Sequence, residues 1–302
     1  MGYVLLGILA GIGLPVQTSV NNRLKPRVGG PERTSLISFF VGSVFLLLWV
    51  LITEGTARLP FDRTAGYPFW IWTGGAFGVC FLLGNLFLIS RVGSANTVIY
   101  PVVGQIIMGL LVDHFGWFMA DVQKLTILRA LGGTLVLVGM LVITGTGKET
   151  GSEKKFVSWQ VPVIGIGIGM LSAAQTAINA RLGAALDNPV QAALVSFSVG
   201  AILLLFICLL PGVRKQPAGK EPVPVWTWFS GVLGAFFVLT NLYVAGRIGT
   251  GIAVVASLTG TVTGGLLIDQ YGWLGTPVRK ITTRKCLGLL MMMAGVVMVR
   301  LL

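Results

Sequence analysis

Two short runs of polar side chains interrupt otherwise apolar sequence: Gln17-Thr18-Ser19-Val20-Asn21-Asn22-Arg23-Leu24 and Gln175-Thr176-Ala177-Ile178-Asn179-Ala180-Arg181-Leu182. On a helix, residues four apart share a face, so Gln17 and Asn21 point the same way with Thr18 beside them. Gln175, Asn179 and Thr176 repeat that face. Amides and hydroxyls offer hydrogen bonds without titrating near neutral pH. In an apolar setting such a face has two open roles, joining helices through hydrogen bonds and lining a route for a polar solute. Asn85 and Asn241 add two further amides at matching depths. Tyr100 and Gln105 add polar tips on either side of Pro101, which frees a backbone carbonyl. Arg23 and Arg181 follow the glutamines by six residues, about 9 Å along a helix. They suit either contact with lipid headgroups or attraction of an anion at each mouth of a pathway.

Other chemistries lack their residues. Cys80, Cys208 and Cys286 are odd in number and sit in apolar stretches, with no metal-ligand spacing. His114 is the only histidine. No metal or cofactor is expected, and without a His/Asp/Glu or Cys constellation no enzyme is expected either. The ten acidic residues avoid the middle of every apolar stretch. Asp113 and Asp269 each precede an aromatic-Gly-Trp block and read as turn formers beside interfacial tryptophans in preference to proton sites. The net charge of +12 is scattered over short loops. With no soluble domain to form a groove, it fits anionic lipid and not nucleic acid.

The elements that must position these amides span a membrane. The chain is 54% hydrophobic and 11% charged, far below the charge of a soluble domain. Ten stretches are long enough, or nearly so, to cross about 30 Å of hydrocarbon as helices. They are 1–22, 34–53, 65–90, 92–112, 130–147, 156–180, 189–213, 222–246, 248–268 and 286–299. The first has no positive start and is copied mid-chain, so it reads as a mature helix and not a cleaved signal.

Matching blocks recur in order. Ser38-Phe39-Phe40-Val41-Gly42 returns as Ser196-Phe197-Ser198-Val199-Gly200, at the 158-residue offset of the polar runs. Asn85-Leu86 and the Asp113-His114-Phe115-Gly116-Trp117 block return 156 residues later, as Asn241-Leu242 and Asp269-Gln270-Tyr271-Gly272-Trp273. The chain is therefore a duplication: a first five-helix repeat at 1–147, a linker at 148–158 and a second repeat at 159–302. Five is odd, so the second repeat enters the membrane inverted. Fifteen of the 22 lysines and arginines fall on one side and seven on the other. That imbalance predicts a cytoplasmic linker with both termini outside. The Gly7/Gly11, Gly165/Gly169 and Gly260/Gly264 pairs mark close helix contacts. Trp70/Trp72 and Trp226/Trp228 read as interfacial anchors opening helices 3 and 8.

The fused repeats, the Gln-x-x-x-Asn-x-Arg-Leu runs and the aliphatic-aliphatic-Asp-x-aromatic-Gly-Trp blocks together resemble the YdcZ-type branch of the drug/metabolite transporter superfamily. That branch is distantly related to the small multidrug resistance exporters. The resemblance covers nearly the whole chain and implies a carrier fold in the inner membrane. Those exporters couple protons through a glutamate in their first helix; here the corresponding helices carry only amides.

The expected protein is therefore an all-α, ten-helix secondary transporter of a small organic metabolite, neutral or anionic. Rival readings are a channel and an exporter of cations. The amide layers, one towards each membrane face, are expected to gate a central cavity. The expected partners are the lipid bilayer and the small-molecule substrate, and the oligomeric state is open.

Overall fold

The computed structural model describes residues 2–56, 59–144, 159–210, 213, 222–275 and 281–301. The side chains of residues 61, 85–87, 89–99, 144, 269, 275, 300 and 301 lie outside the description. Among the described residues there are nine α-helices and no strand. They are α1 (Gly2–Val28), α2 (Pro31–Glu54), α3 (Gly74–Phe115), α4 (Ile127–Thr144), α5 (Gln160–Leu186), α6 (Pro189–Leu209), α7 (Ser230–Ile248), α8 (Thr250–Tyr271) and α9 (Thr283–Leu301). Six helical stretches are long and apolar enough to cross a membrane: Gly2–Val28, Pro31–Glu54, Gln160–Leu186, Pro189–Leu209, Val225–Ile248 and Thr250–Ile268. Gly74–Gly84, Tyr100–Phe115 and Ile127–Ile143 are shorter apolar segments.

One helical run, α3, stands where the sequence predicts two helices, at 65–90 and 92–112. It is not straight. Leu88 and the Cβ of Tyr100 both come within 3.3 Å of the place a side chain on Gly165 would occupy. Twelve residues of straight helix would hold them about 18 Å apart. The first limb passes Gln175 at Gly78 and Ile168 at Gly84, and the second returns past Ile166 and Met170 at Gly104. The run therefore doubles back along α5. At the equivalent place in the second repeat, Gly249 takes φ 90 and separates α7 from α8. That backbone geometry suits glycine, which has no Cβ to clash.

The entry to each of these helices also differs from expectation. Trp70 and Trp72 sit in a 3-10 turn at Phe69–Trp72, and Trp226 and Trp228 in another at Val225–Phe229. Prolines 68 and 224 precede them. They stand at the N-caps of the turns with φ −63 and φ −56, the value the proline ring fixes, and the α-helices follow the turns.

Glycines set the packing. Along α1, Gly11 faces the backbone of Ser257 and Thr261, and Gly260 of α8 faces Ile8. In the other repeat Gly169 faces Pro101, and Gly104 of α3 faces Ile166. Each repeat's first helix thus packs on the fourth segment of the other repeat, backbone against backbone. On α4 and α9, Gly132 meets Gly295 and Gly139 meets Gly288, so these equivalent helices run antiparallel. Between α2 and α6, Gly42 seats the ring of Phe197 and Gly200 seats that of Phe39. The two rings pack at a centroid distance of 5.0 Å. Large apolar side chains such as Leu9, Phe40, Ile52, Ile127, Phe206 and Leu290 cover the outside. A surface of that kind matches hydrocarbon, not water.

Candidate functional site

A partly open cavity between the helices holds about 50 Å³. It is lined by Gln105 of α3, by Ser172, Gln175, Thr176 and Asn179 of α5, by Phe237, Val238, Asn241 and Leu242 of α7, and by Val254 and Ser257 of α8. Both repeats contribute, the first, among the described residues, through Gln105. Among the described residues none that lines it is charged. Of the residues the sequence singles out, the cavity gathers Gln105, Gln175, Thr176, Asn179 and Asn241. Ser172 and Ser257 are new to the set. Their equivalents in the first repeat are Leu14 and Pro101, so a search for shared residues passes over them.

The first repeat's cluster has other company. Gln17 lies against Gly234 of α7, as Gln175 lies against Gly78 of α3. Thr18 is exposed and donates to the Leu14 carbonyl at 2.9 Å. Asn21 accepts from the Ser38 hydroxyl at 2.8 Å, and Ser38 lies 2.9 Å from the Ser230 hydroxyl. A hydroxyl carries one proton, so Ser230 donates to Ser38. This chain of bonds joins α1, α2 and α7. The second repeat keeps only part of it. Asn179 donates to Ser196 at 3.1 Å. The position equivalent to Ser230 is Gly74, which adds no hydroxyl, and Asn179 Oδ1 has no partner among the described residues. Asn21 thus joins helices, whereas Asn179 joins helices and borders a cavity. Tyr100 packs its Cβ against Gly165 and is absent from the cavity lining. The side chain of Asn85 lies outside the described residues.

The arginines after each cluster rest on aromatic rings. The Arg23 guanidinium lies 5.9 Å from the Trp226 ring centre and that of Arg181 5.1 Å from the Tyr67 ring centre. Arg181 also donates to the Tyr67 hydroxyl at 3.4 Å. Trp226 and Tyr67 belong to the segments leading into α7 and α3, in each case the repeat opposite the arginine. Cation–π contact fixes these arginines at the bundle ends.

Asp113 corrects the expectation of a turn-forming carboxylate. It is fully buried within α3 and pairs with Arg129 at 3.1 Å, itself only 4% exposed. It also accepts from the backbone N–H of Thr250 at 2.8 Å and of Gly251 at 3.0 Å. These are the first two residues of α8, so a first-repeat carboxylate caps a second-repeat helix and meets its positive dipole end. Gln123 grips the same junction, donating to the Ile248 carbonyl at 3.3 Å. The partners of Asp113 are far away in sequence, and no local pattern announces them. The side chain of its equivalent, Asp269, lies outside the described residues.

His114 is structural. Its Nδ1 accepts from the Leu125 backbone at 2.9 Å, and Gln270 accepts from the Ile281 backbone at 2.5 Å. Histidine and glutamine do one job at equivalent positions. Just beyond each, Gly116 and Gly272 close their helices with φ 64 and φ 62. Their N–H groups bond the carbonyls of Val112 and Ile268, which explains the recurrent aromatic-Gly-Trp. Among the described residues no group of three His, Cys, Asp or Glu is placed to hold a metal.

Apolar helices of membrane-crossing length around an uncharged polar cavity define a multi-pass membrane transporter. The profile of the family described as "Putative inner membrane exporter, YdcZ" matches residues 2–142 and 161–298, one stretch per repeat. The chain belongs to that family. No curated protein matches it in sequence. A solved structure described as "Crystal structure of protein" superposes with a TM-score of 0.68 at 14% identity, covering 98% of this chain and 94% of that one. That likeness concerns the fold alone.

Proposed function

We propose that the protein moves a small organic metabolite, neutral or anionic, by alternating access between two inverted five-helix repeats, at 1–147 and 159–302. In this reading the two limbs of α3 are separate membrane crossings, which brings the number of crossings to ten. The linker lies in the cytoplasm and both termini outside. The antiparallel contact of the equivalent helices α4 and α9 supports the inversion.

One observation carries the proposal. Two clusters of like sequence occupy unlike environments: Gln175, Thr176 and Asn179 border the cavity, whereas Gln17, Thr18 and Asn21 stand apart from it. A carrier built of inverted repeats has this asymmetry in each end state and exchanges the two environments when it turns over. The amides would then act as paired gates, one repeat's cluster closing as the other opens.

The test is solute counterflow in liposomes holding the purified chain, after a thermal-shift screen of metabolites has found a ligand. Gln17→Ala and Gln175→Ala should each lower exchange while the variants remain monodisperse. Unchanged exchange in both sinks the gate assignment. Single-channel currents in place of saturable counterflow would make the protein a pore.

A further inference from the structure

We infer that the cargo is uncharged, about the size of a three-carbon polyol or amide, and rich in hydrogen-bond donors. This deepens the carrier reading and rests on it.

The Thr176 hydroxyl donates to the Ser172 carbonyl at 3.2 Å, and the Ser257 hydroxyl to the Val254 carbonyl at 3.0 Å. Each hydroxyl has a single proton, so both oxygens face a ligand only as acceptors. Asn241 turns one Nδ2–H to the Phe237 carbonyl at 2.9 Å, leaving Oδ1 to accept and its second N–H to donate. The wall formed by Thr176, Asn241 and Ser257 thus offers three acceptor oxygens to one N–H, and the Ser172 hydroxyl beside it can both donate and accept. The carboxamides of Gln105 and Gln175 make no hydrogen bond to described residues, and each can both donate and accept.

This pattern selects against charge of either sign. Among the described lining residues an anion would meet acceptor oxygens and neutral amide donors but no cationic side chain, because Arg23 and Arg181 lie against aromatic rings instead. A cation would find acceptors but no carboxylate, and desolvating an unpaired ion is expensive. Hydroxyl and amide N–H groups suit the wall. The carbonyl or hydroxyl oxygens of the same molecule would take the amide donors of Gln105 and Gln175.

Size follows from the volume. A single water needs about 10–15 Å³ by this measure. The 50 Å³ present therefore holds roughly three to five waters. At about 30 Å³ of liquid volume per water, displacing them frees roughly 90–150 Å³, room for a small polar solute and not a drug-sized one in this conformation.

Lactamide and lactate make the sharpest probes, because they share a shape and differ in charge and in the amide donors. Glycerol serves as a second uncharged probe and tetramethylammonium as a cation of similar bulk. Counterflow of each is measured with the full chain in liposomes, beside Gln175→Leu, Asn241→Leu and Thr18→Val variants. The expected result is saturable counterflow of lactamide and glycerol and none of lactate or tetramethylammonium. Gln175→Leu and Asn241→Leu should each reduce counterflow about tenfold or more, because they leave ligand groups unpaired. Thr18→Val controls for membrane insertion and should match the parent in yield and monodispersity. Counterflow of lactate or tetramethylammonium without lactamide or glycerol overturns the inference and leaves the carrier reading standing. Flux of all four without saturation overturns the carrier reading itself.

Discussion

The clusters around Gln17 and Gln175 began as copies of one sequence and now differ in two respects. Around Asn21, three side chains close a hydrogen-bonded link through Ser38 and Ser230. Around Asn179 that link is shorter, ending at Ser196 with Gly74 in place of the last serine, and the adjoining amides face open space. Packing is alike in the two halves: each glutamine seats on the equivalent glycine of the other repeat. The difference teaches that duplication preserved the joints and left the polar faces free to diverge.

The harshest way to break this comparison is to remove what holds the repeats in register. Asp113→Ala leaves Arg129 buried without a counter-charge and exposes the first two N–H groups of α8. It should cost about 3–5 kcal/mol, read as loss of monodisperse protein or a large fall in Tm. Asp113→Asn keeps the shape but loses the charge and should fall between Ala and the parent. Tm values equal to the parent's would show that the pair does not bind the repeats together.

A smaller effect tests the clusters themselves. Ser230→Ala removes the end of the first cluster's link, making it resemble the second. The expected loss is about 1 kcal/mol, typical of one buried hydrogen bond, read from thermal unfolding. The same-sized change at Ser196, Ser196→Ala, also strips Asn179 of its acceptor and should cost as much or more. A smaller loss at Ser196 than at Ser230 would reverse the assignment of which cluster depends more on its serine.

The smallest effect is expected at His114. His114→Gln installs the residue that the second repeat already uses, and stability should stay within about 0.5 kcal/mol of the parent. Loss of transport in a stable His114→Gln protein would give the histidine a role that Gln270 cannot fill.

Much of this was legible in the residues. The 158-residue offset pairs Gln17 with Gln175, and the structure places the two in equivalent seats on Gly234 and Gly78. The glycine pairs marked helices that approach closely, and the structure supplies the partners, α1 with α8 and α5 with α3. What stayed hidden depends on contacts far apart in sequence. Asp113 reads as a turn former because a local pattern shows Gly116 and Trp117 but not Arg129 or Thr250. Which cluster meets the cavity was also hidden, because near-identical sequences carry no record of which one a given state exposes. Ser172 and Ser257 escaped for the opposite reason, being polar in one repeat only.

The central claim is that the two clusters exchange environments. Single cysteines at Thr18 and Thr176, in a background without Cys80, Cys208 and Cys286, can be labelled with a membrane-impermeant maleimide in cells and in inverted vesicles. The lactamide gradient is then reversed and labelling rates are compared. The account predicts that reversal moves the two rates in opposite senses, one residue opening as the other closes. Rates that move together, or not at all, would contradict it.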